Sequence, residues 1–233
     1  MVNTSSKSDI AILNFYNSTI GKKVVMAVTG LILLGFVVMH LLGNLQIFLG
    51  PEKFNEYAAF LQSISELLWI ARTVLLVSLV LHVITAFLLK KTNRDARKVG
   101  YLKNERIQVD PATLYMLETG VVILFFVILH LAHFTFGVLQ PESSHLVDSE
   151  GRHDVYQMVI LGFNQGPYSI IYIISMIALS FHLRHAFWSM FQSVGAYSPN
   201  LGIQLKKISK ILAIVVAFGY ISIPLSVQLG LLN

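Results

Sequence analysis

The chain has 233 residues, 55% of them hydrophobic and only 12% charged, with a mean hydropathy of +0.68, whereas a soluble domain carries about a quarter charged residues. It has no cysteine, which excludes structural disulfides, thiolate metal sites, iron–sulfur clusters and covalent c-type haem attachment, so any metal chemistry must use histidine or carboxylate. A formal charge of +5 is compatible with nucleic-acid binding, but the position of the charges along the chain assigns them to another role.

The opening stretch, MVNTSSKSDIAILNFYNSTIGKK, is polar and lacks a small-residue cleavage site after a short apolar core, so it does not read as a removable signal peptide. The first apolar segment, 24–49, holds no Asp, Glu, Lys or Arg over 26 residues and carries His40. At 1.5 Å per residue such a run crosses the roughly 30 Å of a bilayer core with some tilt. Further segments of spanning length follow at 67–89 (with Arg72 near its first turn), 114–138, 168–191 and 211–231. The expected fold is an all-α membrane protein with five transmembrane helices in one bundle, forming a single domain over 1–233. Pro224 and the glycines at 30, 35, 43 and 120 are compatible with membrane helices, which use such residues for kinks and close packing. No internal repeat, heptad run or low-complexity segment is expected. The first connection, GPEKFNEYAAFLQSISE, reads as an amphipathic segment lying on the interface. The third, LQPESSHLVDSEGRHDVYQMVILGFNQG, is polar at first and then apolar, and its length suits a cover over a site at that surface.

Loop charges orient the chain. Thirteen of the seventeen lysines and arginines fall on one side: Lys7, Lys22 and Lys23, seven in KKTNRDARKVGYLKNER, and Lys206, Lys207 and Lys210. The positive-inside rule then puts the N-terminus in the cytoplasm and the C-terminus outside. Glu52, Glu56, Glu66, Glu142, Asp148, Glu150 and Asp154 lie on the opposite face. The net positive charge is a topology signal, and the basic face suits anionic membrane lipid or a soluble subunit.

Eight histidines are present. His145 and His153 fall in a polar loop and are expected to be solvated. His40, His82, His130, His133, His182 and His185 fall in apolar segments, where such a group is costly unless it faces a partner. Measured from segment midpoints at about 1.5 Å per residue, His40 and His130 share one depth and His82 and His182 another, roughly 10–12 Å apart. Two imidazoles on different helices at one depth can ligate a haem iron from both faces, and two such pairs stack two haems across a bilayer. A zinc site fits less well, since three or four ligands do not meet at one depth. A proton relay and plain interhelical hydrogen bonding remain open. His133 and His185 lie one turn nearer the membrane boundary, as interfacial hydrogen-bonding groups that can reach a haem propionate.

Around these residues the chain resembles the cytochrome b membrane-anchor subunit of succinate dehydrogenase and fumarate reductase, in its form with one five-helix chain and two haems b. The resemblance covers nearly the whole chain. It is carried by HLLGNLQIF, PEKFNEYAAFLQS, LVLHVITAF, ETGVVILFFVILHL and SFHLRHAFWSMFQSVG. It implies two bis-histidine haems: an outer one on His40 and His130, and an inner one on His82 and His182. The Thr119-Gly120 pair selects His130 over His133, and the following FWSMF selects His182 over His185. It further implies a bacterial cytoplasmic membrane, and flavoprotein and iron–sulfur subunits docked on the cytoplasmic face. Electrons would pass through the haems to or from a quinone, menaquinone or ubiquinone. Quinone candidates near the outer haem are Asn44, Gln46, Glu66 and Arg72. Arg184, His133 and His185 are candidates for the haem surroundings, and Lys90 and Lys91 can also neutralise inner propionates. Other readings are the cytochrome b anchor of a different respiratory enzyme, and a haem-free transporter or assembly protein.

Overall fold

The structure, a computed structural model, describes residues 14–96 and 110–233. Lys7 and the basic residues Arg97, Lys98, Lys103 and Arg106 lie outside the described residues. Seven helices carry the fold: α1 Thr19–Asn44, α2 Pro51–Ser63, α3 Ser65–Asp95, α4 Met116–His130, α5 Val155–Asn164, α6 Gly166–Ser193 and α7 Pro199–Gln228. Among the described residues no strand forms beyond an isolated bridge between Val147 and His153. Five helical stretches, Thr19–Leu49, Ser65–Asp95, Met116–Thr135, Gly166–Ser193 and Pro199–Gln228, are long and apolar enough to cross a membrane. The chain is a multi-pass all-α membrane protein.

Local chemistry sets the helix starts. Ser18, Asp154 and Ser198 accept from the backbone amides of Gly21, Gln157 and Leu201, each satisfying a donor that the helix itself leaves unpaired. Prolines stand in the first turn of α2, α6 and α7, where a missing amide costs nothing. The helices outrun the apolar segments. α3 continues to Asp95 through Lys90 and Lys91, and α7 begins at Pro199, twelve residues before the expected 211, so that Lys206, Lys207 and Lys210 ride on it. Hydropathy marks what lipid surrounds; helix geometry continues into the polar zone until a cap stops it.

Along the bundle α1 packs on α3, α6 and α7, α4 packs on α6, and the α6–α7 interface is the most extensive. α3 buries only Ser78 and Thr85, and α4 buries no residue along its length. Leu41, Met176, Leu179, Leu183, Ala213 and Val216 form the mid-bundle core.

The end carrying the α1–α2 and α4–α6 connections is closed by protein. The amphipathic segment expected after the first span is α2, and the apolar half of the long connection is α5. α5 buries six of its ten residues, including Tyr156, Ile160 and Phe163, against Ile47, Phe54, Tyr172 and Ile223. Asn55 of α2, 2% exposed, ties the layers together: its Nδ2 donates to Asp154 Oδ1 at 3.0 Å and its Oδ1 accepts from the Tyr156 amide at 2.9 Å. Arg152 donates to Asp148 Oδ2 at 2.8 Å and to both Glu52 carboxylate oxygens at 3.0 Å. Burial works to raise the Asp148 carboxyl, but hydrogen bonds from the Arg152 side chain and from the Arg152 and Glu150 amides outweigh it and hold it below the usual range. The Glu52 and Asp148 carboxylates in turn raise the Arg152 guanidinium. His145 is exposed, but His153 is half-buried, with its Nε2 shielded and unpartnered. The connection folds on itself there, through the bridge to Val147, and takes His153 out of the full solvent expected around a polar loop.

Candidate functional site

The four histidines assigned to two depths meet in two pairs. His40 of α1 and His130 of α4 have ring centroids 5.8 Å apart at 80°; His82 of α3 and His182 of α6 stand 6.5 Å apart at 62°. His82 faces Gly30 and His182 faces Gly120, where an added Cβ would lie 3.3 Å from the imidazole Cε1 in both cases. Gly30 and His40 are ten residues apart on α1, as are Gly120 and His130 on α4. The levels are therefore separated by about 15 Å along the helix axis. This exceeds the 10–12 Å expected, because the helices overrun their apolar segments unequally and segment midpoints misplace the register.

The imidazoles are held from behind. Thr29 Oγ1 lies 3.1 Å from His82 Nδ1, and Thr119 Oγ1 lies 3.4 Å from His182 Nδ1. Tyr172 of α6 places its hydroxyl 3.3 Å from His130 Nδ1 and 3.1 Å from His133 Nδ1. His40 is held by packing, stacked on Phe36 at 5.1 Å and 6.3 Å from the Tyr220 ring. Tyr220 anchors α7 to α1 through a 2.8 Å bond to the Val37 carbonyl. His133 sits in a π-helical turn, Leu131–Thr135, that follows directly on His130. The extra residue of that turn changes the azimuth and brings both imidazoles onto one hydroxyl. Rather than reaching an interface, His133 is 2% exposed, stacked between Phe134 and Tyr168 at 4.0 and 4.4 Å, with its Nε2 unpartnered. His185 is engaged with Thr113 Oγ1 at 2.8 Å, and Arg184 with Asp110 at 2.8 Å.

The quinone candidates sit in different local settings. Asn44 turns its amide back to the His40 carbonyl at 2.7 Å. Gln46 is half-buried in the 3-10 turn Leu45–Leu49 that follows α1, and Glu66 is exposed in the first turn of α3. Arg72 is exposed and lies 5.1 Å over the Trp69 ring. Among the described residues no group of three or more His, Asp or Glu side chains could hold a metal ion; the imidazole donors come in twos.

Contrary to the expectation of no repeat, the site is built twice. Residues 26–41, MAVTGLILLGFVVMHL, and 116–131, MLETGVVILFFVILHL, are identical at eight of sixteen positions, including Thr, Gly and His. Leu79, His82, Ala86 and Phe87 recur as Leu179, His182, Ala186 and Phe187. Each histidine therefore pairs with its counterpart in the other half. Offsets of 90 and 100 residues, masked by apolar residues that interchange freely, hide this repeat from a scan for short periods. Thr29 and Tyr172 were not legible as partners of the histidines; the signal for Thr29 was its place in the repeated Thr-Gly, and for Tyr172 a phenol in an otherwise apolar stretch of α6.

No family model matches this chain, and no curated protein or solved structure matches it.

Proposed function

We propose that this chain is the quinone-reactive cytochrome b anchor of a succinate:quinone oxidoreductase, resident in a bacterial cytoplasmic membrane. The observation that carries the reading is the pairing of four mid-bundle imidazoles. Two imidazoles that would share one iron, with metal–nitrogen distances of about 2.0 Å and ring radii of roughly 1.1 Å, need centroids about 6 Å apart. The observed 5.8 and 6.5 Å bracket that spacing. The donor chemistry fits as well: imidazoles, no thiolate, and glycine backbones at Gly30 and Gly120 that give the rings room.

Haem, when bound, supplies one-electron chemistry, and bis-histidine ligation leaves no open position for oxygen. His40 and His130 would hold one group, and His82 and His182 the other. Thr29, Thr119 and Tyr172 orient ring nitrogens, and α2 and α5 shield the His40 end from water. The lysines of α7 and the end of α3 mark the face proposed to be cytoplasmic, where an iron–sulfur subunit and its flavoprotein partner would dock. The acidic covered end would lie on the quinone side. The similarity of the histidine-bearing segments to the succinate dehydrogenase and fumarate reductase anchors supports this choice over other respiratory cytochromes b.

A reduced-minus-oxidised spectrum with a haem count tests the reading. The expected result is b-type bands and two haems per chain. H40A or H130A should remove one, H82A or H182A the other, and His133 or His185 variants neither. Absence of b-type bands refutes the haem assignment. Failure to co-purify succinate-dependent quinone reduction would leave the cytochrome but reject this enzyme.

A further inference from the structure

We infer that Thr29 and Thr119 are positioning residues that fix the tautomer of His82 and His182, and so set this pair's redox potential apart from that of the His40–His130 pair. The inference rests on the haem reading above. A hydroxyl has one proton and two lone pairs. Thr29 Oγ1 donates its proton to the Val25 carbonyl at 2.7 Å, and Thr119 Oγ1 donates to the Tyr115 carbonyl at 2.8 Å. Both are bonds back to the preceding turn, a common use of a mid-helix threonine. Only lone pairs are then left to face the imidazoles. His82 Nδ1 and His182 Nδ1 are then the donors, each carrying its proton on Nδ1 and leaving Nε2 bare, with the Met26 and Met116 backbone also in hydrogen-bonding reach of the rings. The bare nitrogen is the one that would hold iron.

The neighbouring glycines make the contact possible. A side chain at Gly30 or Gly120 would crowd the Cε1 of the histidine that the adjacent threonine must reach. The device occurs once in each half of the repeat, and both copies act on the same pair. In the other pair only one imidazole has a hydroxyl partner, and it shares it. His130 Nδ1 shares the Tyr172 hydroxyl with His133 Nδ1, and among the described residues no hydrogen bond forms to the His40 ring. A ligand imidazole whose outer N–H is hydrogen-bonded is a more basic donor. More basic donors favour the oxidised iron, so the threonines lower the potential of the His82–His182 centre.

The test uses the assembled complex in native membranes, with T29V, T119V and the double variant, and T29S and T119S as controls that keep the hydroxyl. Potentiometric titration of the b-type absorbance resolves the two centres, and H82A identifies the one in question. The expected result is an upward shift of that centre alone in each valine variant, larger in the double, with wild-type potentials in the serine variants. If a valine variant loses this haem, retention in the serine variant supports the hydroxyl's role, and loss in both overturns it. Unchanged potentials with two haems present, or a shift of the other centre, also overturn it. Wild-type membranes without b-type absorbance would instead reject the underlying haem reading.

Discussion

Asn55 joins α2 to the start of α5 across the covered end of the bundle. Asn55→Ala removes two well-formed hydrogen bonds, to Asp154 and from the Tyr156 amide, and a longer one of 3.4 Å to Asp148. Two ordinary bonds contribute about 1 kcal/mol each net, and a stranded buried N–H at Tyr156 adds about 1–3 kcal/mol; with partial overlap the loss is roughly 2–4 kcal/mol. At about 1.4 kcal/mol per tenfold, local opening of the cover becomes roughly 30- to 1,000-fold more populated. The assay is limited proteolysis of the 138–154 connection in detergent-solubilised protein, with intact spans as the internal control. Asn55→Asp should be worse than Asn55→Ala, since it puts a third carboxylate beside Asp148 and Asp154 at a site 2% exposed. Wild-type digestion rates in Asn55→Ala, or a milder effect of Asn55→Asp, would falsify the assignment of Asn55 as the hub.

The Asp148–Arg152–Glu52 cluster predicts a pH response with a definite sign. Asp148 has a lowered folded-state value, so its contribution is present above the unfolded aspartate range near 4 and is lost as pH falls through the lower folded value. Pepsin protection of the same connection should persist to about pH 4 and fall below it, and Arg152→Gln should move the loss to higher pH; identical profiles would refute the coupling. Orientation is testable because the chain has no cysteine. In spheroplasts an impermeant maleimide should label Glu142→Cys at once and Lys207→Cys only after permeabilisation, and the reverse pattern would invert the topology.

What the sequence determined alone is the part of this protein that depends on solvent and on local chemistry. Long uncharged runs can only be satisfied in lipid as helices, because an unpaired backbone group there is too costly. Hence the five spans, their connections and the four spaced histidines were legible in the chain. Register and partnership were not. Tertiary packing decided that His82 lies against Gly30 of another helix, some 15 Å along α1 from His40. The π-turn after His130 decided that His133 points into a slot of Phe134 and Tyr168 instead of an interface. Folding also withdrew Asn44 to its own helix and Arg184 to Asp110, since a polar group takes the nearest partner its backbone allows. Tyr172 carries no spacing signal, and Thr29 only its place in the repeated Thr-Gly pair. Their roles exist only because separate helices bring a hydroxyl within reach of an imidazole, and that is a property of the assembled bundle.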